Sequence, residues 1–121
     1  MKNLIILLGL FGLFIMNPTE TFTQDYKKIE GEWKFSTPEA PYGYQSGTIT
    51  FTQASEEIEG DVRFPDGYKI DLKNIEFKNK DLNFGLYVDY EYIKVNMILE
   101  KNKLSGFVES PNGKLKITAE R

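Results

Sequence analysis

The densest group of carboxylates in the chain is Glu56, Glu57, Glu59 and Asp61. Two carboxylates can hydrolyse a glycosidic bond when one is held protonated and the other ionised. That chemistry needs one acid desolvated, so that its pKa rises toward neutrality. Here Glu57, Glu59 and Asp61 alternate with Ile58 and Val62, which puts the acids on the water-facing side of a strand. The row is expected to be a solvated face, capable of at most weak calcium binding, because its spacing matches no EF-hand loop. The sequence contains no His and no Cys, which removes Ser-His and Cys-His relays and the usual zinc ligand set. Phosphate-cradling glycine loops are absent as well. No catalytic residue, no metal and no cofactor is expected, and the chain reads as a non-enzyme.

Aromatic side chains are the remaining candidates for recognition. Thr37-Pro38-Glu39-Ala40-Pro41-Tyr42-Gly43-Tyr44-Gln45-Ser46 is the longest irregular stretch after the N-terminus, stiffened by two prolines. Tyr42 and Tyr44 near its tip are placed to close a core or to stack on a ligand. Tyr87, Tyr90 and Tyr92 cluster around one hairpin on the outward phase. With Phe107 and Ile98, also outward, they form a candidate partner patch. Trp33, the only tryptophan, shares one face with Phe35 while Glu32 and Lys34 take the other, as expected of a plug for the end of a β-barrel.

The elements that hold these side chains have a period of two. Alternation predicts eight strands: 32–36, 46–53, 57–64, 68–77, 81–88, 92–100, 103–109 and 114–120. Pro65-Asp66-Gly67 reads as a three-residue hairpin loop, and Ser110-Pro111-Asn112-Gly113 as a turn. Within 68–77 the apolar phase flips at Lys73-Asn74, which predicts a β-bulge at a barrel corner or, alternatively, two short strands with a kink. Short connections make the neighbours antiparallel. The expected fold is all-β, an eight-stranded antiparallel up-and-down meander closing into a small barrel. A two-sheet β-sandwich is the alternative, and closure is preferred because it removes exposed edges.

The inward phase is long and bulky, from Trp33 and Phe35 through Phe84 to Leu115 and Ile117, which argues for a filled interior. Gly60 and Gly106 interrupt that phase and either relieve crowding or leave room for a ligand. Gly85 falls on the outward phase and reads as a bend. Candidate ligand-binding residues are therefore Trp33, Tyr42, Tyr44, Gly60, Phe84 and Gly106.

Residues 1–23 read as a signal peptide, with Lys2 as the basic region and Leu4 to Met16 as an apolar run of 13 residues. Such a run is short for a bilayer span, which takes about 20. Left uncleaved, it is the only membrane contact expected, and a lipoprotein anchor is not expected because there is no Cys to acylate. Thr21 and Thr23 place the expected cleavage before Gln24. The lead-in is then 24–30, and 31–121 form one barrel domain. Removal of the first 23 of 121 residues leaves 98, and the net charge of −3 is unchanged because Lys2 and Glu20 cancel. The mixed charge offers no basic stripe for nucleic acid. A secreted or periplasmic location is expected, and without disulfides an apolar core must carry the stability.

Gly31-x-Trp33 opening an eight-stranded meander resembles the lipocalin and calycin barrels. Glu59-Gly60-Asp61-Val62 and Ser105-Gly106-Phe107-Val108 add a repeated x-Gly-x-Val rhythm, similar to small secreted bacterial lipocalin-like β domains. The resemblance spans about residues 30–120 and implies binding of a small apolar molecule. Full lipocalins are longer, carry a C-terminal helix and have a Thr-Asp-Tyr signature. Here Asp89-Tyr90 follows Val88 and lies one hairpin too early. Avidin-like barrels share the meander but rely on several tryptophans. The expected function is an exported binding protein holding a small apolar ligand at the barrel mouth. The alternative is a solid-core accessory module contacting a protein or carbohydrate through exposed tyrosines.

Overall fold

The computed structural model describes residues 26–111 and 113–121. The expected signal segment 1–23 and its cleavage site lie outside them, as does Asn112. A 3-10 turn, Tyr26–Lys28, leads into nine strands. In chain order these are β1 (Gly31–Ser36), β2 (Ser46–Ala54), β3 (Glu57–Arg63), β4 (Lys69–Asp71), β5 (Lys73–Lys78), β6 (Asp81–Val88), β7 (Glu91–Glu100), β8 (Lys103–Ser110) and β9 (Gly113–Glu120). They form one antiparallel sheet in the order β4-β3-β2-β1-β9-β8-β7-β6-β5. The first strand also pairs with the last, through Lys34↔Glu120, Phe35↔Ala119 and Ser36↔Thr118. Among the described residues the ladder is interrupted between β4 and β5, so the sheet nearly closes into a barrel.

That interruption is a single chain segment changing partners. β4 pairs with β3, β5 pairs with β6, and Leu72 lies between the two halves with its N–H donated to the Gly60 carbonyl at 2.9 Å. The register against β6 slips between Lys73 and Glu76, and Asn74 takes φ 52°. Asn is among the few non-glycine residues that tolerate that region. The phase flip read at Lys73-Asn74 is thus a real break, and it raises the strand count from eight to nine. Ile70, Leu72 and Phe77 are buried on either side of it, which is why the apolar phase must change there.

Turn chemistry elsewhere follows the residues. In the Pro65-Asp66-Gly67 loop, Gly67 takes φ 95° and donates to the Phe64 carbonyl at 2.8 Å. Asp66 caps the same loop by accepting from the Tyr68 N–H at 2.9 Å. The two-residue β6–β7 turn is less comfortable: Asp89 and Tyr90 both have positive φ, 49° and 70°. That is the type I′ geometry favoured by strand twist, but a bulky Tyr suits it poorly.

The barrel has one sealed end. Trp33 is fully buried, and its indole N–H donates to the Ile29 carbonyl at 2.8 Å. Burying an aromatic of that size contributes on the order of 5 kcal/mol. Arg121, the last residue, lies over the indole with its guanidinium carbon 4.3 Å from the ring centroid. It also donates to the Glu30 carbonyl at 2.7 Å and the Lys28 carbonyl at 2.8 Å, tying both ends of the domain together. Ile29 and Ala119, absent from the sequence-derived core, are buried there too. Leu82, Met97, Leu99 and Leu104 fill this half of the interior.

Candidate functional site

At the opposite end the interior is not filled. A cavity of about 310 Å³ opens at the mouth, a volume at the low end of small-molecule pockets. Its deep wall is apolar and buried: Ile49, Val62, Phe84, Val95 and Ile117. Half-buried Val88, Ile93, Val108 and Leu115 continue that wall toward the rim. These four lie in the inward phase at strand ends that share the mouth, so the alternation carries side chains to the rim where no opposing strand covers them.

The 37–45 connection crosses this opening, contributing Thr37, Ala40, Pro41 and Tyr44 to the lining. It is held by its own hydrogen bonds. The Thr37 N–H donates to the Gln45 carbonyl, and the buried Thr37 hydroxyl to the Tyr44 carbonyl, both at 2.8 Å. The Gln45 amide donates to the Pro38 and Ala40 carbonyls at 3.2 Å each. So anchored, the loop sends Tyr44 inward and Tyr42 outward, although the two are only two residues apart.

Tyr44 meets Phe64 edge to face, with centroids 5.0 Å apart, and Phe64 meets Phe35 the same way at 6.0 Å. Tyr68 stacks on Phe64 with ring centroids 6.4 Å apart. Partial burial holds the Tyr44 phenol above its ordinary value of 10.0, and Asp89, Tyr68 and Asp66 push it the same way. It stays a neutral hydroxyl across the physiological range. The charged residues of the lining are Asp89 and Glu91, both exposed at the rim and both acidic.

The six candidate ligand contacts therefore separate. Tyr44 and Phe84 lie on the cavity wall. Trp33 sits at the sealed end, and Tyr42 is 94 % exposed. Neither glycine opens space. A Cβ on Gly60 would meet a Leu72 methyl at 2.9 Å and the Thr50 carbonyl at 3.0 Å. On Gly106 it would overlap the Asn96 carbonyl and stand 2.7 Å from Met97 Cα. Both glycines let neighbouring backbone and side chains approach closely, which is the crowding-relief alternative.

The tyrosine patch separates too. Tyr90 is fully exposed and Tyr87 is 55 % exposed, whereas Tyr92 is half-buried. Tyr92 lies tilted against Tyr87, with ring centroids 5.0 Å apart, and its hydroxyl accepts from the Asn74 amide at 2.8 Å. That hydroxyl occupies the space above Gly85, which is buried beneath it. Gly85 thus seats the Tyr92 ring over the β5 bulge. Ile98 and Phe107 are exposed on the same outer surface, and Lys114 approaches the Phe107 ring at 5.6 Å.

In the acidic row, Glu57 and Glu59 face solvent. Asp61 is half-buried and lies 3.9 Å from Arg63 and 4.0 Å from Lys69. Among the described residues no group of three or more acids is placed to hold a metal ion. No family model matches this sequence, and no curated protein matches it either.

Proposed function

We propose that the protein is an exported, non-enzymatic, lipocalin-like binder that takes a small apolar molecule into the barrel mouth. The observation that carries this reading is the apolar cavity of about 310 Å³ beneath an anchored loop, in a barrel whose other end is sealed. An unfilled apolar space weakens the contacts of its lining, and a ligand restores them. Export rests on the pattern of residues 1–23, and N-terminal sequencing of protein recovered outside the cytoplasm tests it. Binding is tested by thermal unfolding against a panel of small apolar compounds. A ligand present at a hundred times its Kd stabilises by about 2.7 kcal/mol. Val108→Trp, which fills the half-buried mouth, is expected to abolish that shift. A panel without a hit, or a shift that survives Val108→Trp, overturns the reading.

A second reading, contact with a protein or carbohydrate partner, is favoured by one observation. Tyr87, Tyr90, Ile98 and Phe107 leave a substantial apolar area exposed on the β6–β8 side. It predicts self-association or partner capture that Tyr87→Ser with Tyr90→Ser removes, measured by sedimentation velocity.

A further inference from the structure

The wall of the cavity is greasy, yet its rim has one sign of charge. Of the side chains lining the opening, the ionised ones are Asp89 and Glu91, and neither is ion-paired among the described residues. Among the described residues no lysine or arginine lines it. Asp66 of the β3–β4 loop adds, with Asp89, to the burial that holds the Tyr44 phenol above its ordinary value.

Aromatic rings line the same cavity as these two acids. Phe35, Phe64 and Tyr44 form a continuous edge-to-face group, and all three line the cavity. Ring faces beside carboxylates suit a cation, which gains from the ring quadrupole and from direct charge attraction together. An alkyl carboxylate placed with its chain in the same wall would instead bring its anionic end against Asp89 and Glu91. Asp89 stands at φ 49° in the tight two-residue turn with Tyr90.

We infer that the occupant of this mouth is a cationic amphiphile, an ammonium group carried on a short apolar body. Its head sits among Asp89, Glu91 and the Tyr44–Phe64 rings, and its apolar part faces Phe84, Val95 and Ile117. The inference rests on the cavity being a binding site, and it adds the class of ligand.

The test uses three probes with a chain of eight carbons, counting the carboxylate carbon: octyltrimethylammonium, octanol and octanoate. Each is titrated into the protein at low salt by calorimetry, with amide chemical shifts locating the site. Octyltrimethylammonium is expected to bind about tenfold more tightly than octanoate, with octanol between them. Asp89→Asn with Glu91→Gln is expected to bring all three within about twofold, as is high salt. Asn accepts the positive φ at position 89, so the turn survives the change. Octanol or octanoate binding as well as the ammonium probe overturns the head-group assignment and leaves the cavity reading standing. A preference for the ammonium probe that persists in the double variant overturns the assignment to these acids. Failure of all three probes to bind overturns the cavity reading itself, and this inference with it.

Discussion

Replacing Arg121 with Ala removes everything that this side chain does at the sealed end. Its guanidinium covers the Trp33 ring at 4.3 Å and donates to two lead-in carbonyls at 2.7 and 2.8 Å. At a solvent-exposed position the ring contact contributes about 0.5–1 kcal/mol. Each hydrogen bond, screened by water, adds about 0.5 kcal/mol. The expected loss is about 2 kcal/mol, a large share of the stability of a small domain. For a domain of this size it lowers Tm by about 10 °C. Arg121→Lys keeps the charge but not the two-pronged donor, so it is expected to recover only about 1 kcal/mol. Urea unfolding followed by tryptophan fluorescence and by circular dichroism measures both variants, and Trp33, the only tryptophan, reports that end specifically. The slope against denaturant should not change, because the surface exposed on unfolding is the same. An Ala variant within about 0.5 kcal/mol of the parent, or a Lys variant equal to Arg, would refute the assignment.

Gly106→Ala drives a methyl group into the Asn96 carbonyl and Met97 Cα, so β7 and β8 must part, and a loss of at least about 2 kcal/mol is expected in the same urea assay. Tyr26 and Tyr44 are both raised above the ordinary phenol value, Tyr26 by burial and then by Glu76. A pKa raised on folding means stability that is complete below pH about 10 and is lost as the pH climbs through the folded-state values. Thermal midpoints should therefore fall faster above pH about 10 than in Tyr26→Phe with Tyr44→Phe, and identical profiles would contradict this. Tyr90→Gly relieves a bulky residue at φ 70° that is wholly exposed, so calorimetry should show a higher Tm and unchanged octyl-probe affinity.

Much of the barrel is written in the alternation, because one buried face fixes which residues point inward and turn residues fix where strands stop. The 81–88 strand and the Lys73-Asn74 break were legible for that reason, the latter as a change of phase. Ile29, Ala119 and Arg121 were not, since their burial or contact depends on the last strand closing against the first. That meeting joins positions about 90 residues apart, as in the bond from Arg121 to Glu30. The mouth was half legible. Val88, Ile93, Val108 and Leu115 stand on the inward phase, but alternation alone does not say that they share one unfilled end. The glycines left two readings open, space or close approach, because sequence shows a missing side chain and not the neighbour that takes its place. Tyr42 and Tyr44 look equivalent in the sequence, and only the hydrogen bonds of the loop tell them apart.

Placing the tryptophan seal and the hollow at opposite poles has a consequence for how such a chain can diversify. At the cavity mouth the lining includes residues of the 37–45 and 89–90 links, where changes of length and composition are least costly to the ladders beneath. A new recognition surface can therefore be grafted onto the same frame by swapping short links, while the clasp between Arg121 and the lead-in keeps the frame shut.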